Sequence, residues 1–373
     1  MKLSQSDYLL LRLASSAAGM LQSLGDLESA ALRRRINAVP IESPVFLTGL
    51  ARSGTTILLE ELSKVPGVGT HRYRDFPFLM TPWLWNGFLD LFRVAQEAVE
   101  RPHKDRIQIT TESPEAFEEP LWQFFFPQQH SGAALHRLAG DQRYDDFEAF
   151  FKDHIRKILL VRRQQRYLSK ENYNVVRIEY LAKVFPDARF IVPIRHPFTH
   201  VESLVRQHAL FCDYARGDAR VPHYLAAAGH YEFGPQRVPI RLSHAAGNRI
   251  RAAWERGEND AGYAIQWAEI YRFVDALRSS TNELSQRILV VRYEDFCARP
   301  CDVMRSILQH AKLDGGEAFA GQALDHIAPP GRSAAALPGE FRANVWRETE
   351  SVAERFGYTP TGAAAEKSMR HAA

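Results

Sequence analysis

The stretch Pro44-Val-Phe-Leu-Thr-Gly-Leu-Ala-Arg-Ser-Gly-Thr-Thr-Ile57 limits what this chain can fold into more than any other. A short apolar run enters a glycine-containing turn, and leucines at helical spacing follow it. Strand, turn and helix in that order form a loop that cradles phosphate-like anions at a helix N-terminus. Gly49 and Gly54 are separated by four residues, as in the Walker pattern, but Thr55 stands where that pattern has its lysine. The positive charge lies inside the loop instead, at Arg52. Such a loop predicts an anion site without the usual magnesium–nucleotide chemistry. An ordinary tight turn is the plainer reading of the same residues.

The rest of the chain repeats the alternation. Strands are expected at Val45–Gly49, Arg166–Lys170, Arg189–Arg195 and Ile288–Tyr293. Helices are expected at Thr55–Val65, Asp145–Arg162, Val175–Phe185, Phe198–Phe211, Tyr263–Ser280 and Cys301–Ala311. Strands alternating with helices of this length predict an α/β fold with a mostly parallel central sheet flanked by helices. Ligands of such sheets sit beyond the carboxyl ends of the strands. Arg52, Lys170, Arg195 and Tyr293 all fall at or just past a strand end, so four strands deliver polar groups to one rim.

No linker divides the 373 residues, which are 45% hydrophobic and 24% charged, an ordinary globular composition. We expect an N-terminal helical segment over 1–40, one catalytic domain over 41–360 and a flexible tail over 361–373. The first segment reads as one or two amphipathic helices, and polar residues break it too often for a signal peptide. No apolar run reaches the length of a membrane span. A net charge of +3 is too small to argue for nucleic acid. Three cysteines, Cys212, Cys297 and Cys301, fit a reducing, cytoplasmic setting without a disulfide framework or a zinc site. Two stretches, near 71–122 and 213–253, read as irregular insertions over the rim. The first is rich in aromatics, with Trp83, Trp85 and Trp122 able to stack on a sugar or to pack in the core.

A second anion site is legible in Arg189-Phe-Ile-Val-Pro-Ile-Arg-His-Pro-Phe-Thr-His-Val-Glu-Ser203. A buried strand ends at Arg195, Pro197 suits a first helical position, and Ser203 lies two turns on, on the same face. Two anion sites on one rim suggest a ligand with two separated phosphates. His196, His200 and His208, near one face of that helix, read as helix-start and pocket-rim residues and not as metal ligands.

With these residues together the chain resembles the sulfotransferases that use 3′-phosphoadenosine 5′-phosphosulfate (PAPS). It is most similar to the branch holding tyrosylprotein sulfotransferases and many bacterial sulfotransferases. The likeness rests on Gly49-Leu-Ala-Arg-Ser-Gly-Thr-Thr56, on Phe185-Pro-Asp-Ala-Arg-Phe-Ile-Val-Pro-Ile-Arg-His-Pro197 with Ser203, and on Val291-Arg-Tyr-Glu-Asp-Phe296. It implies a P-loop nucleotide-hydrolase-like fold and sulfuryl transfer from PAPS to a hydroxyl, leaving 3′,5′-ADP. It implies that Arg52, Ser53, Gly54, Thr55 and Thr56 hold the 5′-phosphosulfate and that Arg195 and Ser203 hold the 3′-phosphate. By the same likeness Lys170 steadies the sulfonate, Tyr293 lies near the adenine, and Arg342 belongs to a late loop closing over the 3′-phosphate. No metal is required, since fixed cationic and N–H donors can stabilise a sulfuryl group.

One part departs from the family pattern. The branch takes the acceptor's proton with a Glu just past the first helix, and Pro66-Gly-Val-Gly-Thr-His-Arg-Tyr-Arg-Asp-Phe-Pro-Phe78 has none. Asp75 is the first candidate, His71 the second, and Glu112, Glu118 and Glu119 form a third set; a salt bridge to Arg72 or Arg74 is the structural alternative for Asp75. The acceptor expected by analogy is a carbohydrate or glycolipid, with a small molecule or tyrosyl hydroxyl as alternatives. The rival reading is a P-loop kinase, which Thr55 in place of the Walker lysine argues against.

Overall fold

A computed structural model describes residues 3–91, 99–100, 103, 108–130, 135–314, 319, 327 and 334–361. The tail expected over 361–373 lies outside the described residues from 362 onward, as does part of the 71–122 insertion. The chain opens with helices α1 (Gln5–Ser16), α2 (Ala18–Ala31) and α3 (Arg33–Asn37). Strand β1 (Val45–Leu47), helix α4 (Thr55–Ser63) and strand β2 (Val68–Gly69) follow. The first insertion holds α5 (Pro82–Leu91), a hairpin of β3 (Val99–Glu100) and β4 (Gln108–Ile109), and α6 (Glu119–Phe125). Next come α7 (Asp145–Arg162), β5 (Arg166–Lys170), α8 (Ile178–Val184), β6 (Arg189–Ile194) and α9 (Pro197–Gly217). After α10 (Val221–Ala227), α11 (His244–Glu255) and α12 (Asn259–Arg278) come β7 (Ile288–Arg292), α13 (Tyr293–Ala298) and α14 (Pro300–Ala311). A C-terminal helix, Gly339–Ala353, packs against α9 and α12.

The central sheet has five strands, all parallel, in the order β2-β5-β1-β6-β7. Its strands are apolar on both faces because helices cover both. Val45, Leu47, Leu168, Ile191 and Val291 pack on α4 and α14. Phe46, Tyr167, Phe190 and Val192 face the other way, onto α7, α8 and α12. Alternation of side chains along each strand produces this division. β1 lies between β5 and β6, where the chain's path across the sheet changes direction, and such switch points open a crevice at the carboxyl ends.

β1, β6 and β7 end a residue or two earlier than their apolar runs suggest, whereas β5 has the expected bounds. Thr48 and Gly49 belong to the loop after β1, and Tyr293 starts α13. The expected Val175–Phe185 helix is split into a 3₁₀ turn, Asn172–Val176, and α8. The 213–253 stretch is less irregular than its composition suggests, since it contains α10 and α11.

Candidate active site

The loop after β1 is pinned on both sides before it turns. The Thr48 amide donates to the Ile191 carbonyl on β6 at 2.9 Å, and its hydroxyl donates to the Glu171 carbonyl past β5 at 2.6 Å. Two residues then take left-handed backbone, Arg52 at φ 69° and Gly54 at φ 107°. Gly54 caps α4, so the first amides of that helix face the loop. Behind the loop, His200 Nε2 meets the Ala51 carbonyl at 2.9 Å. Burial pushes the His200 pKa down to about 3, so the ring is neutral and Nε2–H is the donor.

The four strand ends stand side by side. Lys170, last in β5, lies opposite Leu47, and Ile194, last in β6, lies opposite Arg292. The Arg52 Nε donates to the buried Ser203 hydroxyl on α9 at 3.3 Å, so the two anion sites read separately from sequence are joined. Arg195 Nε donates to the Thr199 hydroxyl at 3.1 Å, and its guanidinium lies 5.2 Å from the centre of the Tyr293 ring. That ring covers Gly54: a Cβ there would come within 2.6 Å of it. Burial, then the neighbouring Cys297, push the Tyr293 hydroxyl up to about 12, so it stays neutral. Ser53 is buried within the loop, and Thr55 and Thr56 open α4. Arg342 sits on the first turn of the C-terminal helix, one turn before Trp346, which packs edge-on against Phe198 of α9. Its Nε is shut off from solvent with no protein partner among the described residues.

Two cationic positions, Arg52 and Arg195, thus flank helix N-termini, with a third, Lys170, beside them. This donor set suits a ligand with separated anionic groups.

The expected proton acceptors are engaged elsewhere. Asp75 is buried and pairs with Arg162 through both oxygens, takes the Asn86 amide at 2.9 Å and the Arg72 backbone amide at 2.8 Å, and lies 3.5 Å from His71. Its salt bridge is therefore to Arg162 on α7, not to Arg72 or Arg74. Burial raises its pKa, but the His71 hydrogen bond and the Arg162 charge outweigh that and hold the carboxyl well below the usual range. His71 is also buried, stacked on His154 with their Nε2 atoms 3.1 Å apart. Glu112 is exposed and paired with Arg72 and Arg74. Glu118 accepts from Tyr167 and Asn174, and Glu119 is paired with Arg177 and His130. Trp122 is fully buried beneath Arg177, which leaves no face for a sugar.

A residue missing from those candidates faces the rim. Residues 71–74 run antiparallel beside 111–115, with Tyr73 donating to the Ser113 carbonyl and Glu115 to that of His71. This pairing sets Glu115 before Lys170, with Oε1 3.8 Å from Nζ. Its Oε2 accepts from the Tyr73 hydroxyl at 2.5 Å and its Oε1 from the Ala116 amide at 2.7 Å. Burial and then Glu119 push the next acid, Glu171, well above the usual range, and its two oxygens accept from the Glu119 and Tyr173 amides. The sequence signal for Glu115 was its place among the acids of Thr111-Glu-Ser-Pro-Glu-Ala-Phe-Glu-Glu119.

No curated protein matches the chain. Among solved structures it is similar to a sulfotransferase from Mycobacterium tuberculosis, at 16% identity over 88% of this chain and 81% of that one, with a TM-score of 0.45. It is similar to a sulfotransferase from Mycobacterium avium, at 18% identity over 88% and 79%, TM-score 0.47. The sulfotransferase domain of the Synechococcus olefin synthase is similar at 16% identity over 86% and 96%, TM-score 0.41. The model of the Sulfotransferase family matches residues 44–232, which include the loop, Glu115, Lys170, Arg195 and Ser203. That match spans just over half of the 373 residues, and the chain belongs to the Sulfotransferase family.

Proposed function

We propose that the enzyme moves the sulfuryl group of PAPS to a hydroxyl of its acceptor. The observation that carries this reading is the meeting of Arg52, Ser203, Lys170 and Glu115 at the switch point of the sheet. The loop amides from Ser53 to Thr56, with Arg52, would hold the 5′-phosphosulfate. Arg195, Ser203 and Arg342 would hold the 3′-phosphate, and Tyr293 would lie against the adenine. When bound, PAPS supplies the sulfuryl group and 3′,5′-ADP is the leaving product. We assign the proton acceptor to Glu115: one of its oxygens takes the acceptor's hydroxyl proton as the new oxygen–sulfur bond forms. Lys170 then holds the charge that builds on the transferred group. Asp75 and His71, expected in the base's role, serve in this reading to hold the 71–75 turn that presents Glu115.

The acceptor we propose is a carbohydrate or glycolipid hydroxyl, by analogy and on the arginines of the rim, Arg52 and Arg195. Three unpaired cysteines support a reducing, cytoplasmic setting. Among the described residues no helix is long and apolar enough to cross a membrane. Radiolabelled PAPS incubated with a panel of glycosides and the purified protein tests the transfer. The expected result is a labelled product that falls at least ~100-fold in rate with Arg52→Ala, the usual cost of one preorganised donor. Transfer from ATP and magnesium, with none from PAPS, would overturn it.

A further inference from the structure

The rim leaves a second concavity unexplained. A cavity of about 370 Å³ lies between α1 and α2 on one side and the Phe76–Pro77 corner, α6 and α10 on the other. Its walls include Leu11, Ala14, Phe76, Met80, Leu121 and Ala227, and no Asp, Glu, Lys or Arg lines it. Its polar lining residues are Ser15, Gln123, His223 and Tyr231. Gln123 donates to the Ala226 carbonyl at 3.3 Å, and the Tyr231 ring stacks on His130 with centres 4.4 Å apart. The wall is also anchored. A buried pair, Lys157 with Glu28 at 2.9 Å, ties α2 to α7. An anchored cavity of this size, mostly apolar and without a charged side chain other than the titratable His223, selects a ligand chiefly by shape and apolar contact.

Its position links it to the transfer site. The Phe76 ring in its wall stacks on Phe117 at 5.1 Å, two residues beyond Glu115. Pro120, Leu121 and Gln123 line it from α6, and the first residue of that helix, Glu119, donates its amide to Glu171, next to Lys170. Helix α6 thus runs from the Glu171 side of the transfer site into the cavity wall, Glu119 and Gln123 being four residues, about 6 Å of rise, apart. The surface around the cavity is apolar as well. Leu9, Leu10 and Leu13 on α1 and Met20, Leu24 and Leu27 on α2 are exposed. Single exposed leucines are ordinary, but six large apolar side chains on two consecutive helices mark a contact surface.

We propose that this cavity binds the alkyl chain of an amphiphilic acceptor whose hydroxyl-bearing head lies at Glu115 and Lys170. The assignment of the head rests on the sulfuryl-transfer reading; that of the chain rests on the cavity alone. Alkyl β-glucosides from methyl to octyl, used below their micelle-forming concentrations, test it by calorimetry with 3′,5′-ADP present and by the rate of transfer from PAPS. Affinity and kcat/KM should both rise by about fourfold per added methylene until the cavity is full. Ala14→Trp or Ala227→Trp, which fill the cavity, should flatten that slope and leave 3′,5′-ADP binding unchanged. The wild-type slope needs no variant to fold, and a flat series from methyl to octyl overturns the proposal. So does a slope that survives both fillings and disappears with Leu9→Ser and Leu13→Ser, because the chain would then adhere to the outer surface. A slope in affinity with none in kcat/KM assigns the cavity to a lipid other than the acceptor and overturns the acceptor assignment. If no glucoside is sulfated but the slope in affinity stands, the transfer reading falls and the chain site remains. If methyl and octyl glucosides react equally and bind equally, the reverse holds.

Discussion

Asp75 and Glu115 are both buried carboxylates on the two paired stretches 71–75 and 111–115, and their partners give them different work. Asp75 meets a guanidinium with both oxygens, so removing its charge strands Arg162, only 4% exposed, without a counter-ion. Breaking a buried pair from one side costs about 3–5 kcal/mol. Asp75→Asn should therefore lower the thermal midpoint while the protein that remains folded turns over at a near-normal rate. Glu115 is held by a phenol and one amide and faces an ammonium 3.8 Å away, close enough for one hydroxyl oxygen to hydrogen-bond to both. Glu115→Gln keeps the shape and removes the proton acceptor. It should lower kcat by about 10²–10⁴, leaving the affinity for 3′,5′-ADP unchanged. Turnover and melting curves measured on the two variants side by side decide the matter, and the opposite pattern would return the base to Asp75.

At the scale of elements, the loop and its strands were legible for a physical reason. Strands covered on both faces are apolar in their middle, so β1, β6 and β7 stand out while β5 shows only Tyr167-Leu168 between polar ends, and a Gly-bracketed turn followed by leucines marks the loop. Glu115 was not legible, because its place depends on residues 71–74 pairing with 111–115 across about forty residues of chain that hold a helix and an aromatic-rich turn. The partner of Asp75 was hidden in the same way, on the last turn of α7. Local spacing shows what shares a helix face, whereas contacts between insertions appear only once the chain has folded. The loop itself carries an element-level prediction. Gly54 combines left-handed backbone with a Tyr293 atom 2.6 Å from where a Cβ would lie. Strain of about 1–2 kcal/mol is expected for a non-glycine residue there, and Gly54→Ala must also displace the ring. Binding of 3′,5′-ADP should weaken by roughly tenfold or more, and by less when Gly54→Ala is made in a Tyr293→Ala background. Equal losses in both backgrounds would remove the ring contact from this account.

For the molecule as a whole, the sign of its pH dependence follows from histidines that the fold keeps neutral. His136, His154 and His200 are all completely buried. Burial lowers each pKa first, and nearby positive or titratable groups, His130 for His136 and His71 for His154, lower it further. For His200 burial outweighs the Ala51 carbonyl, and the pKa falls to about 3. In the unfolded chain the same three rings take a proton near pH 6.5. Below that pH the unfolded state therefore binds protons that the folded state does not, and stability falls as the pH falls. Each ring contributes about 1.4 kcal/mol per pH unit over the range in which the fold keeps it unprotonated, and Glu171, raised well above the usual carboxyl range, opposes one such ring. Against a total stability on the order of 5–15 kcal/mol, the net slope removes part of the fold's margin between pH 6.5 and 5. Asp75 and Glu119 act in the same direction but lower down: both are held below their ordinary pKa, so their contribution is present above about pH 4 and lost beneath it. Urea midpoints measured from pH 8 to pH 5 should be level down to about pH 7 and then fall, well before the paired carboxylates Asp75 and Glu119 titrate. A midpoint that holds to pH 5 and drops only near pH 4 would mean that carboxylate pairs alone set the acid limit, with these histidines gaining protons inside the folded protein.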